Sequence, residues 1–258
     1  MSAARRRRGD DQQGRAVLVG ATRGMGRALA RCLAERGDRL FLLGRDVEEM
    51  ARSAADLEAR GAAGPVGHAA LDLRHPDGFT PALDAAWQEL GAVDLFVLTA
   101  ADFDSQETLE SHPDRLRRLL DTNLTGTLLL LEAARRRLLT ASGGTLCAFS
   151  SVAGERGRKP VVLYGATKAA LTRYLEGLDH RYRQQGLKVI CVKPGFVKTS
   201  MTAGLDPPPF AGTPEQVART VLRAIDRGRP VVYAPPPWRW VMLVVRHLPR
   251  FIMRRVGF

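Results

Sequence analysis

A chain of 258 residues without a low-complexity linker is long enough for one α/β domain with a sizeable core. Its three cysteines, Cys32, Cys147 and Cys191, are odd in number and scattered through apolar surroundings; this excludes a disulfide framework or a cysteine metal site and predicts core thiols in a reducing cytoplasm. Of the net charge of +12, residues 1–15 carry +3 and residues 238–258 carry +5, so the body is nearly ordinary and only the two ends point to an anionic surface, phospholipid or nucleic acid.

Residues 1–14, with Arg5 to Arg8, read as a basic, solvated, disordered arm. No apolar stretch follows those arginines, so neither a secretory nor a twin-arginine signal is expected, and no run reaches transmembrane length. Residues 15–237 then read as the folded domain. Ala16 to Val19 is a short apolar strand, followed by Gly20-Ala-Thr-Arg-Gly-Met-Gly26 and a helical repeat of Met25, Leu29, Cys32 and Leu33. Glycines at 20, 24 and 26 between a strand and a helix let backbone N–H groups approach a pyrophosphate, with Thr22, Arg23 and Met25 around them. Arg39 to Leu43 is a second strand. Its end, where an acid would bind a ribose 2′-hydroxyl, holds Gly44 and Arg45; with Arg23 this suits a 2′-phosphate and predicts NADP(H) over NAD(H).

Val66 to Leu71 is a third strand, leading to Asp72 and Leu73, where Asp72 is a candidate acceptor for an adenine amino group or an ordinary turn aspartate. Val93 to Leu98 is a fourth, opening into Thr99, Ala100 and Ala101, small residues that leave room for cofactor. Pro113 to Leu139 reads as one long helix containing Asn123, a poor helix former that either bends the helix and holds water or caps a local backbone group. Thr145 to Phe149 is the fifth strand and delivers Ser151. On the helix Leu163 to Arg183, Tyr164 and Lys168 stand four apart on one face. A lysine cation beside a phenol favours the tyrosinate, and a nearby serine hydroxyl can donate to the same substrate oxygen, which is carbonyl/alcohol redox chemistry. Lys188 to Val192 is the sixth strand, ending in a turn, Pro194-Gly195-Phe-Val197-Lys-Thr199, suited to backbone contacts with a nicotinamide carboxamide. Met201 to Gly212 reads as a loop over the substrate, Pro214 to Arg227 as a helix, and Val231 to Ala234 as a final strand. This alternation predicts a single-domain Rossmann fold, a doubly wound parallel sheet of about seven strands with helices on both faces.

From about Gly14 to Ala234 the chain resembles the short-chain dehydrogenases/reductases: GATRGMG, Asp72-Leu73, Asn123, Ser151, Tyr164, Lys168, and Pro194-Gly195 with Thr199. The resemblance implies that Tyr164 is the acid/base, that Lys168 tunes it and holds the nicotinamide ribose, that Ser151 orients the carbonyl, and that Asn123 maintains a water relay. It departs from the family at Val19, usually threonine, and at Leu98-Thr99-Ala100-Ala101, usually Asn-Asn-Ala-Gly. A narrower resemblance, carried by SSVAGERGRKPVVLYGATKAAL, KPGFVKTSMTAG and the last 28 residues, is to the branch that reduces a 2-keto ribose on decaprenyl phosphate. It implies a lipid-linked keto sugar as substrate and a flavoprotein oxidase as partner.

Residues 238–258 combine Trp238, Trp240 and aliphatic residues with five arginines and no acid, the composition of an amphipathic interfacial segment, with Pro249 as a kink. The same pattern fits a helix packed on its own domain or on a second copy. Three readings stand: a reductase at the inner face of the membrane, a soluble ketone or 3-ketoacyl reductase, and a non-catalytic NADP-binding regulator. The third would use its basic ends on nucleic acid and has no need of a tuned phenol, so nucleic acid is not expected; a homodimer through the helices around Asn123 and Tyr164 is.

Overall fold

A computed structural model describes residues 13–204 and 206–256, so the basic arm expected at 1–14 lies almost wholly outside the described residues. Its elements in chain order are β1 (Arg15–Val19), α1 (Gly24–Glu35), β2 (Arg39–Gly44), α2 (Val47–Ala59), β3 (Gly67–Ala70), α3 (Phe79–Leu90), β4 (Leu95–Leu98), α4 (Gln106–Ser111), α5 (Pro113–Leu120), α6 (Thr127–Thr140), β5 (Gly144–Phe149), α7 (Val162–Tyr182), β6 (Leu187–Pro194), α8 (Pro214–Arg227), β7 (Val231–Ala234), α9 (Trp238–His247) and α10 (Arg250–Met253). The seven strands form one sheet in the order β3-β2-β1-β4-β5-β6-β7, and every neighbouring pair is parallel.

The strands are apolar on both faces because helices cover both. Ala16 and Leu18 of β1 enter the core under α1, α2 and α8, while Val17 and Val19 enter the core under α3, α6 and α7. The strand order reverses between β1 and β4, and the carboxyl ends of those strands open the crevice at which ligands bind in such sheets.

The stretch read as one helix from Pro113 to Leu139 is divided. Asp121–Gly126 forms a π-helical turn between α5 and α6, and the Thr127 hydroxyl donates to the Thr122 carbonyl at 2.8 Å, five residues back. A side-chain donor inserted into the backbone ladder is a recognised cause of such a bulge. Helices α3 and α4 lie in a stretch where no helix was expected. Pro249 does break the tail, between α9 and α10. Among the described residues no helix is long and apolar enough to cross a membrane.

Candidate active site

The glycine turn builds the floor of a cleft of about 520 Å³ at the switch between β1 and β4. Gly20 adopts φ +86°, and a Cβ at Gly26 would lie 2.2 Å from the Gly20 carbonyl oxygen, so both positions exclude a side chain. No side chain caps α1, which leaves its first-turn N–H groups facing the cleft with Thr22, Arg23 and Met25. Thr199, from beyond the Pro194-Gly195 turn, packs over Gly24 and closes the far wall. The two departures from the family pattern meet here: where Val19 has no hydroxyl to offer, Thr99 Oγ1 contacts the Val19 and Gly20 carbonyls at 3.0 and 2.9 Å, tying β4 to the start of the turn.

At the opposite end the cleft is lined by Gly44, Arg45, Asp72 and Leu73. Arg23 and Arg45 are exposed and form no salt bridge among the described residues, although Arg45 lies near enough to Asp72 to help lower its pKa. The nearest acid after β2, Asp46, is committed to capping α2, where it accepts the Glu49 N–H at 2.9 Å. Asp72 lies where the sequence places it, but Arg74 grips its carboxylate at 2.6 Å and holds its pKa down to about 2. An adenine amino group would therefore share that carboxylate with a guanidinium.

The reacting set gathers beside Phe103 of the cleft wall. Tyr164 and Lys168 share a face of α7, with Lys168 Nζ 5.6 Å from the phenol ring centre, and the Ser151 hydroxyl lies near enough to the phenol to lower its pKa. The Ser151 oxygen also accepts the Ala153 N–H at 3.1 Å, fixing its orientation at the start of a short 3-10 turn. Lys168 is buried and donates to the Phe149 carbonyl at 3.0 Å. Asn123 is 1% exposed in the π-helical turn; its Oδ1 accepts from the Asp102 N–H at 2.7 Å and its Nδ2 donates to the Asp102 carbonyl at 2.8 Å. It thus bends its helix and clamps a distant loop rather than capping a local group.

Three residues that the sequence did not single out complete the frame. Asp102 and Phe103 line the cleft, and Phe103 meets the Tyr164 ring edge-on at 5.1 Å. Gln106 Oε1 accepts the Leu163 N–H at 3.1 Å, holding the first turn of α7 beside Tyr164. The only sequence signal for the first two is their place four and five residues past the end of β4; a Gln that caps a helix 57 residues away leaves none.

Burial, rather than the neighbouring ammonium, dominates the electrostatics. It pushes the Tyr164 phenol up to about 12, with the neighbouring Ser151 hydroxyl pulling the other way, and the Lys168 ammonium down to about 8. The expectation that lysine lowers the tyrosine pKa is thus reversed in the protein alone, because both groups lose water. The folded pKa of Lys168 lies below its free value of 10.5, so the fold carries the cost of a buried cation below pH 8, and that cost disappears as pH rises from 8 to 10.5. Lys168→Met is accordingly expected to stabilise the protein at pH 7 by about 1–2 kcal/mol after the lost bond to Phe149 is subtracted. Thermal unfolding of both forms at pH 7 and pH 10.5 checks this; an advantage that does not shrink at the higher pH would contradict the buried-cation account.

Pro194 ends β6, and Gly195 is held by its N–H donating to Ala234 at 3.1 Å. Val197 pairs with Gly212 across the base of the loop, in which Ser200–Thr202 forms a 3-10 turn and Met201 reaches the cleft wall. The Trp238 indole lies against Gly195 and donates to the Phe210 carbonyl at 3.2 Å, so the tail packs directly on this turn and loop.

An open cleft with a glycine floor, an uncapped helix N-terminus and a cationic ribose end fits a nicotinamide dinucleotide. Residues 15–208 match the short chain dehydrogenase family. The chain is 33% identical over 240 residues to an uncharacterised oxidoreductase of Mycobacterium tuberculosis, covering 93% of this chain and 96% of that one. It is 34% identical over 221 residues to another from Myxococcus xanthus, covering 85% and 87%. Among solved structures, a short chain dehydrogenase/reductase from Burkholderia phymatum in complex with NAD superposes with a TM-score of 0.81 at 22% identity, over 95% of this chain and 97% of that one. With its family match, its oxidoreductase relatives and its fold, the chain belongs to the short-chain dehydrogenase family and is an NAD(P)-dependent short-chain dehydrogenase/reductase.

Proposed function

We propose that the protein is an NADP(H)-dependent carbonyl reductase whose substrate is a keto sugar on a polyprenyl phosphate, with oxidation of the matching alcohol as the reverse reaction. The observation that carries the reaction is the meeting of Ser151, Tyr164 and Lys168 next to Phe103, a wall residue of the glycine-floored cleft. A bound nicotinamide dinucleotide supplies the hydride to the carbonyl carbon. Tyr164 gives its phenolic proton to the carbonyl oxygen, and Ser151 donates a hydrogen bond to that oxygen. Lys168 stabilises the tyrosinate left behind and, by the family resemblance, holds the nicotinamide ribose. Asn123 keeps the Asp102–Phe103 wall in place beside the phenol.

Preference for NADP(H) is supported by Arg23 and Arg45, two exposed guanidiniums at the ribose end, with Asp46 tied to its helix. Arg23→Ser with Arg45→Ser is expected to lower kcat/KM with NADPH by roughly a hundredfold while changing that with NADH little. Wild-type protein turning over NADH tenfold or more better than NADPH would sink the assignment. The lipid-linked substrate is supported by the resemblance of the C-terminal half and by apolar side chains, Met201 and Phe210, exposed on the substrate loop. On this reading a flavoprotein oxidase supplies the keto sugar. Loss of NADPH absorbance over a panel of free and lipid-linked keto compounds tests it, and a preference for free ketones would replace it with the soluble reductase.

A further inference from the structure

Helix α9 is apolar on two faces. The inner stripe, Trp238, Val241, Met242 and Val245, follows the i, i+3, i+4, i+7 pattern and packs with Val152 and Tyr233. The outer stripe, Trp240, Leu243 and Val244, is 64%, 43% and 63% exposed, and Phe251 beyond Pro249 adds a further side chain that is 59% exposed. A helix that only covers its own domain needs the first stripe and not the second. Arg239, Arg250, Arg254 and Arg255 surround the outer stripe, all exposed and without an ion pair among the described residues, and no acid occurs from Trp238 to Phe258.

We propose that this outer face of α9 and α10 docks on an anionic phospholipid bilayer. Trp240, Leu243, Val244 and Phe251 enter the interfacial layer, and the arginines engage the phosphate headgroups. The charge selects this occupant over a second copy of the chain. A twofold interface meets itself, so an uncompensated arginine cluster would face its own image. Its apolar part is also only a few side chains, against the roughly 20 residues a side of a stable protein interface.

The face is rigidly placed. Arg156 Nη2 donates to the Leu248 carbonyl at 2.7 Å, Arg246 lies 3.9 Å from Glu155, and Trp238 holds the Phe210 carbonyl on the substrate loop. Phe210 itself is 58% exposed, so the apolar surface continues from the tail onto that loop. A carbonyl carried on a lipid would then meet the cleft from the bilayer side; this consequence rests on the substrate reading above, whereas bilayer binding does not.

The test is co-sedimentation of the full chain, without cofactor or substrate, with vesicles of phosphatidylcholine alone and of phosphatidylcholine containing phosphatidylglycerol. Binding to the anionic vesicles at low salt, reversed by added salt, is expected, with little binding to the neutral ones. Arg250→Gln with Arg254→Gln and Arg255→Gln should weaken it about a hundredfold. Trp240→Ser with Val244→Ser should weaken it at least about tenfold, and since both side chains point outward the thermal midpoint should not move. No binding to anionic vesicles, equal binding to both vesicle types, or binding unchanged in the two variants overturns the proposal. So does self-association that Trp240→Ser with Val244→Ser abolishes in a protein that ignores vesicles, which would assign the face to a second copy. Failure here leaves the reductase reading intact, because turnover of a water-soluble ketone is measured separately.

Discussion

Tyr164→Phe is expected to lower kcat for carbonyl reduction by about 10²–10⁴ while leaving NADPH affinity within about twofold. The change removes one oxygen and nothing else from the wall of the site. The ring remains to meet Phe103 edge-on, and Lys168 keeps its bond to the Phe149 carbonyl. What is lost is the proton destined for the carbonyl oxygen, and no second donor is placed to supply it, since Ser151 is already orienting that oxygen and the Lys168 ammonium is held on the Phe149 carbonyl at the strand end. Initial rates with NADPH, alongside a fluorescence titration of NADPH, separate the two effects. Retention of more than about a tenth of the turnover would remove Tyr164 from the role of proton donor. A loss of cofactor affinity in proportion to the loss of rate would show instead that the phenol serves binding.

The reason Tyr164 and Lys168 could be read from the sequence is geometric: a spacing of four on a helix guarantees one face, whatever the rest of the protein does. The strands were readable for a related reason. With helices on both sides, β1, β4 and β5 are buried on both faces and appear as unbroken apolar runs, and β7 and α8 have the same limits in the structure as in the sequence reading. Helix α3 carries a signal of its own, with Phe79, Ala82, Leu83, Ala86 and Leu90 at helical intervals. The π-helical turn had only the hint of Asn123 as a poor helix former; its geometry had none, because one extra residue in a turn leaves the apolar period on either side intact and shows only in the hydrogen bonds of Asn123 and Thr127. The Tyr164 pKa differs from the expectation for a reason of the same kind: proximity to Lys168 is encoded locally, but the desolvation that raises the phenol is a property of the packed whole.

Long-range pairs are the least legible of all, and one of them carries the largest expected effect on stability. The side chain of Glu155, four residues after Ser151, is 3% exposed and pairs with that of Lys193, at 8%, immediately before Pro194. Tyr233 OH donates to the same carboxylate at 2.8 Å, and Arg246 of α9 stands 3.9 Å away. The cluster therefore joins the turn after β5, the end of β6, β7 and the tail, all of which converge on the site. Glu155→Ala is expected to destabilise the protein by about 3–5 kcal/mol, because it leaves the Lys193 ammonium buried without its counter-charge. For a chain of this size that corresponds to a fall in thermal midpoint of roughly 10 °C. The cost lies in the orphaned cation rather than in the lost attraction, and a second variant separates the two. Glu155→Leu combined with Lys193→Met removes both charges and fills the space with apolar atoms, so it should recover most of the stability. If the double variant melts as low as Glu155→Ala, the loss comes from the packing and the Tyr233 bond, and the buried ion pair contributes little. If it recovers the midpoint but shows a lower kcat, the pair matters for placing Ser151 and the Pro194-Gly195 turn, a positioning effect that a stability measurement alone would not reveal.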